Sequence, residues 1–224
     1  MGKWLEKGLS PVKLIYHYFV WTIFFLFFKI VYRLKVYGRE NIPKGGFFII
    51  APNHASYLDP PLVGVAFIRP LRYFARKGLF NNIVLNIAMR SMGAVPIGTE
   101  LRDLKPFLSY VDRFKNTNQP FVLFPEGART YDGNFCEPQP GIGMVVERTK
   151  AKVIPVYLKG TYEALPRGAK WLRPSNIEVY IGRPVEFADN PGFSRLEKKE
   201  RWQAIANAVM SYVSALSENM KKSK

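Results

Sequence analysis

Short apolar runs alternate along this chain with longer stretches whose apolar residues recur every three to four positions. The runs KVYG (35–38), FFIIAPN (47–53), LRYFA (71–75), AVPI (94–97), PFVLFP (120–125), KVIPVYL (152–158) and IEVYIG (177–182) have the length and side chains of buried strands. Helical patterns lie between them. DPPLVGVAF (59–67) opens with Asp59 as an N-cap and Pro60 in the first turn. NNIVLNIAMRSMG (81–93) is closed by Gly93, and LRDLKPFLSYVDRFKN (101–116) tolerates Pro106 in its first turn. A further helix is expected from about Gly141 to Thr149. The closing segment, 195–220, sets Trp202, Ile205, Val209, Val213 and Leu216 on one amphipathic face. Strands alternating with helices predict an α/β fold, a mostly parallel central sheet flanked by helices. Ligands of such sheets sit beyond the carboxyl ends of the strands.

The N-terminal segment breaks this pattern. LIYHYFVWTIFFLFF (14–28) is apolar and aromatic all round, with Lys3, Lys7 and Lys13 before it and Lys29, Arg33 and Lys35 after it. Its bulky residues run straight into Lys29, with no small-residue cleavage site of a signal peptide. A helix over the 19 positions from Leu14 to Tyr32 is near the length a bilayer requires, but His17 and Lys29 interrupt it. The expectation is a helix inserted into one leaflet or lying at the interface, with aromatics at headgroup depth and lysines on anionic lipid. Residues 1–35 then form a membrane-associated helical segment and 36–224 one α/β domain, with no internal repeat between them.

Composition narrows the partners. Thirty-three basic and 17 acidic side chains give a net charge of +16, which suits an anionic membrane surface or a phosphorylated substrate. Nucleic acid is not expected, because neither a basic helix-turn-helix nor an aromatic RNA-binding signature accompanies the charge. A single cysteine, Cys136, excludes an internal disulfide framework and points to a reduced compartment. Two histidines make a His-based metal site implausible, so no metal is expected.

Candidate chemistry follows two of the strands. NHASYLD (53–59) pairs His54 with Asp59; an imidazole is the natural general base near neutral pH, and a carboxylate fixes its tautomer. Asp59 also suits a plain helix cap. Ser56 lies between the two without the G-x-S-x-G elbow of a serine nucleophile, so the base is expected to activate a substrate group directly. FPEGART (124–130) offers Gly127 for close backbone approach and Arg129 as a planar fork for phosphate. Glu126 is placed to accept from a substrate hydroxyl or to hold Arg129.

Together these stretches resemble the lysophosphatidic acid acyltransferase (PlsC-like glycerolipid acyltransferase) family. NHASYLD matches its N-H-x-x-x-x-D motif, and FPEGART is similar to its F-P-E-G-x-R motif, in the same order. VIPVYLKG (153–160) looks like its fourth block, and YFARKGLF (73–80) like the basic stretch in which Arg76 takes the place of a phosphate-binding lysine. One block departs: GAVPIGTELRD (93–103) has Gly98 and Thr99 where the family carries an Asp-Arg pair, with Arg102 three residues on. The resemblance, about 36–182, implies acyl transfer from acyl-CoA or acyl-carrier protein to the 2-hydroxyl of 1-acylglycerol 3-phosphate, giving phosphatidic acid. It implies His54 and Asp59 as catalytic, and Glu126, Gly127, Arg129, Arg76 and Lys77 as substrate-binding. No cofactor is implied, since the thioester is a substrate. The enzyme would be membrane-associated with its site on the cytoplasmic face. A lyso-ornithine lipid or another lysophospholipid is the alternative acceptor, and a non-enzymatic peripheral membrane protein the alternative class.

Overall fold

The computed structural model describes residues 11–98, 104–187 and 190–222. Helix α1 (Pro11–Val31) is followed by β1 (Lys35–Tyr37), β2 (Phe48–Pro52), α2 (Asp59–Phe67), β3 (Arg72–Arg76), α3 (Ile83–Ser91) and β4 (Ala94–Ile97). Next come α4 (Lys105–Asn116), β5 (Phe121–Val122), α5 (Gly141–Thr149), β6 (Lys152–Lys159), α6 (Thr161–Ala164), β7 (Glu178–Ile181), α7 (Pro191–Ser194) and α8 (Lys198–Lys222). The strands form one sheet in the order β1-β7-β6-β2-β5-β3-β4. Every neighbouring pair is parallel except β6 with β7. The expected α/β fold with a mostly parallel sheet is therefore the observed one.

Helices cover both faces of the sheet. Phe28, Tyr32, Leu62, Val63, Ile50 and Ile154 pack the core beneath α1 and α2, and Met89 and Met92 extend it beneath α3. Val111, Phe114, Val145, Ile205, Val209 and Ile49 pack the opposite core beneath α4, α5 and α8. Strand β2 is buried at all five positions, which is why FIIAP reads as an unbroken apolar run. Pro155 sits inside β6 without breaking the ladder. Its carbonyl accepts from Gly182 N, one residue past the end of β7, at 2.9 Å, so the missing N–H falls outside the β6–β7 ladder.

Three expected boundaries move. Asp59 is not the cap of α2: Leu58 is, without a side-chain cap, because the Asp59 carboxylate turns back into the preceding loop. Strand β5 keeps only two residues of PFVLFP, since Phe124 leaves the ladder to reach the loop after β2. Helix α4 begins at Lys105 with Pro106 in its first turn, as expected, while 101–103 and Arg102 lie outside the described residues.

Helix α1 has two apolar faces. Trp21, Phe24 and Phe28 turn inward, and Trp21 Nε1 donates to Val65 O at 3.3 Å. Val12, Ile15, Phe19, Ile23, Leu26 and Ile30 turn outward and are exposed. Between α1 and α2 lies a small apolar cleft whose walls include Val20, Phe24, Val65, Leu71 and Met92. Among the described residues no helix is long and apolar enough to cross a membrane.

Candidate active site

The carboxyl ends of β2 and β5 bring the two loaded loops together. His54 Nδ1 lies 2.8 Å from Asp59 Oδ2, and the same oxygen accepts from Ala55 N at 2.7 Å and Ser56 N at 2.8 Å. An oxygen receiving two backbone N–H groups is an acceptor, so the ring donates from Nδ1 and carries its lone pair on Nε2. Asp59 is fully buried, whereas the His54 side chain is 17% exposed. Among the described residues nothing hydrogen-bonds Nε2. The Phe124 ring stacks on the imidazole, with centroids 3.9 Å apart and planes at 22°. The arrangement is an oriented base with one open nitrogen.

The F-P-E-G-x-R loop holds the histidine backbone from both sides. Glu126 Oε1 accepts from His54 N at 2.7 Å, and Thr130 N donates to His54 O at 3.0 Å. The other oxygen of Glu126 accepts from Cys136 N at 2.6 Å, and no ion pair joins Glu126 to Arg129. Glu126 thus braces two loops rather than steering the arginine. Gly127, at φ 68°, donates its own amide to Phe124 O at 3.1 Å, so the free donors of this turn are the amides of Ala128 and Arg129. Asn53 extends the sheet by its side chain: Nδ2 donates to Leu158 O at 3.1 Å and Leu158 N donates to Oδ1 at 2.7 Å. Ser56 Oγ donates to Leu165 O at 2.9 Å and is fully buried, a structural post between loops.

Burial raises the Glu126 pKa above its ordinary 4.5, outweighing the opposing bonds from Cys136 and His54. The native state therefore binds more protons than the unfolded chain between 4.5 and the higher folded value, and this group's contribution to stability falls as pH rises through that window. Glu126→Gln lacks the titration. The urea midpoint of the wild type should fall relative to that of the variant from pH 4 to 7; a constant difference would show that burial does not dominate here.

Arg129 lies flat on Tyr57, 3.4 Å above the ring centroid, and its Nη1 is buried with no partner among the described residues. Arg76 and Lys77 are exposed at the end of β3. Tyr73 and Ile50 both pair with Val122, which sets Arg76 level with Asn53, across β5 and about 10 Å to the side. Cys136 is partly buried, and burial pushes its thiol pKa up, which keeps it protonated.

This geometry coincides with a family match. An acyltransferase family model matches residues 33–159, a span containing His54, Asp59, Glu126 and Arg129. The chain belongs to the acyltransferase family. It is similar to the 1-acyl-sn-glycerol-3-phosphate acyltransferase of Bacillus subtilis, at 25% identity over 84% of this chain and 89% of that protein. The chloroplastic 1-acyl-sn-glycerol-3-phosphate acyltransferase LPAT1 of Arabidopsis thaliana is 28% identical over 69% of this chain, which spans 44% of the plant protein's length. The crystal structure of the 1-acyl-sn-glycerophosphate (LPA) acyltransferase PlsC from Thermotoga maritima superposes with a TM-score of 0.73 at 27% identity, covering 95% of this chain and 84% of that one.

In this acyltransferase the structure joins His54, Asp59, Glu126 and Gly127 into one connected group, with Arg129 following in the same loop. Arg76 and Lys77 stand apart at the strand end beyond β5. Asn53 and Phe124 were legible only as motif letters. Tyr57, Tyr131 and Arg167, which stack in pairs around the site, carried no periodic signal because loop geometry alone brings them together.

Proposed function

We propose that this acyltransferase moves a fatty acyl group from acyl-CoA or acyl-carrier protein to the 2-hydroxyl of 1-acylglycerol 3-phosphate, forming phosphatidic acid. The observation that carries the reading is the His54–Asp59 pair, with Nε2 open at the carboxyl edge of the sheet. Nε2 takes the hydroxyl proton as the alcohol oxygen bonds to the thioester carbon. The amides of Ala128 and Arg129 serve the resulting oxyanion. Collapse breaks the carbon–sulfur bond, and the thiolate leaves with the proton from the imidazolium. Glu126 and Gly127 shape the turn that holds His54 and brings Arg129 to the acceptor. The orphaned Nη1 of Arg129 supports a phosphate on the acceptor, with Arg76 and Lys77 as outer charges. The printed name of the Bacillus subtilis relative supports the same acceptor.

The exposed apolar face of α1 beds in one leaflet of an anionic membrane, with Lys29 and Arg33 at headgroup depth. The loop 165–175, whose Trp171 is 81% exposed, seats the site at the same surface. The site faces the cytoplasm, where both thioester donors reside. Gly98, standing where the family carries an acid, favours a second reading in which another lysolipid is the acceptor.

Transfer of labelled acyl groups from both donors to a panel of lysolipids tests these readings. Arg129→Ala should raise KM for phosphate-bearing acceptors about tenfold or more and leave phosphate-free ones unchanged. Unaltered KM for 1-acylglycerol 3-phosphate would remove the role given to Arg129.

A further inference from the structure

The reaction just described leaves Arg167 without a task, yet this exposed side chain is held by a ring and a backbone carbonyl. Its guanidinium lies 3.8 Å above the Tyr131 ring centroid, and Nη1 donates to Arg129 O at 3.2 Å. The backbone of Tyr131 is held where Tyr162 OH donates to its carbonyl at 2.9 Å. The chain just before Arg167 is pinned to the catalytic loop where Ser56 Oγ donates to Leu165 O. Face stacking sets the plane of a guanidinium and leaves its edge donors unused.

The two arginines share one place. Arg167 touches the carbonyl of Arg129, so their guanidiniums stand no farther apart than one extended arginine side chain and a hydrogen bond. Among the described residues no carboxylate pairs with either one. Two cations within that reach of each other repel, and a dianion bridging them turns that repulsion into attraction. Arg129 Nη1, buried with no partner among the described residues, has N–H donors to give to such an anion.

We infer that Arg167 is a second arginine of a clamp, with Arg129, on the acceptor's phosphate. The inference rests on the acyl-transfer reading for its substrate and is tested in the full-length protein. Arg167→Gln raises KM for 1-acylglycerol 3-phosphate about tenfold, changes kcat little, and leaves KM for 1-acylglycerol as in the wild type. Tyr131→Leu, which removes the stacking platform, gives a smaller rise of the same kind. Calorimetry with sn-glycerol 3-phosphate shows weaker binding to Arg167→Gln than to the wild type.

A rise confined to KM for acyl-CoA would hand Arg167 to the donor's phosphates and overturn the clamp. Unchanged KM for both substrates, with unchanged glycerol 3-phosphate binding, would also overturn it. A wild type that transfers no acyl group, yet binds glycerol 3-phosphate in an Arg167-dependent way, would sink the acyl-transfer reading and leave the clamp standing.

Discussion

Replacing His54 with alanine should lower kcat about a thousandfold, with the fold preserved and acceptor KM nearly unchanged. The ring is partly exposed, and its removal leaves a small gap beside Phe124 rather than a collapsed core. On the proposed mechanism, what disappears is the proton acceptor at Nε2, which matters in the transition state and little in the ground state. Asp59→Asn should cost kcat about a hundredfold or more through a different route. An amide that turns its NH2 toward the ring forces the proton onto Nε2 and removes the base. An amide that turns its oxygen there keeps the tautomer but loses the charge that stabilises the imidazolium. Because Asp59 is buried and also anchors Ala55 N and Ser56 N, stability should fall by about 1–3 kcal/mol as well. Single-turnover transfer of a labelled acyl group, read beside urea unfolding, separates the two effects. A His54→Ala enzyme that kept a tenth of wild-type kcat would exclude His54 as the base.

Gly143→Ala should destabilise the protein by about 3 kcal/mol, the upper end for overpacking a core. A Cβ at this position would stand 2.0 Å from Trp202 O and 2.6 Å from its carbonyl carbon. Both are backbone atoms of α8, so no side-chain rotation relieves the contact. The helices are also tied one turn further along, where Glu147 takes a bond from Arg201 Nη1 at 2.7 Å and another from the Trp202 indole N–H. Moving α8 outward to fit the methyl breaks that junction. A lower urea midpoint at unchanged slope is the expected reading. A loss under about 0.5 kcal/mol would mean that α8 slides freely over α5.

The sequence disclosed the order of elements because each central strand is buried on both faces and so reads as a continuous apolar run. It disclosed His54, Asp59 and Arg129 because they stand at fixed spacing in two short loops. Contacts made across loops were not legible. Asp-Pro-Pro is a good cap signal, yet three donors from residues 54–56 hold the Asp59 carboxylate elsewhere. Glu126 invites a pairing with nearby Arg129, but its bond to His54 spans 72 residues and follows from the adjacency of β2 and β5. Strand β5 ends before Phe124 because that ring is apolar for a partner ring, not for the sheet.

The clasp between Asn53 and Leu158 reaches across 105 residues, and β1 finds its neighbour in β7 near the other end of the chain. On a ribosome, α1 emerges roughly 130 residues ahead of that clasp, a lead of about 6–25 s at ordinary translation speeds. The exposed apolar face of α1 is thus out of the ribosome while the histidine loop still lacks its support. Birth order leaves the loop that carries His54 unbraced until most of the chain has been made.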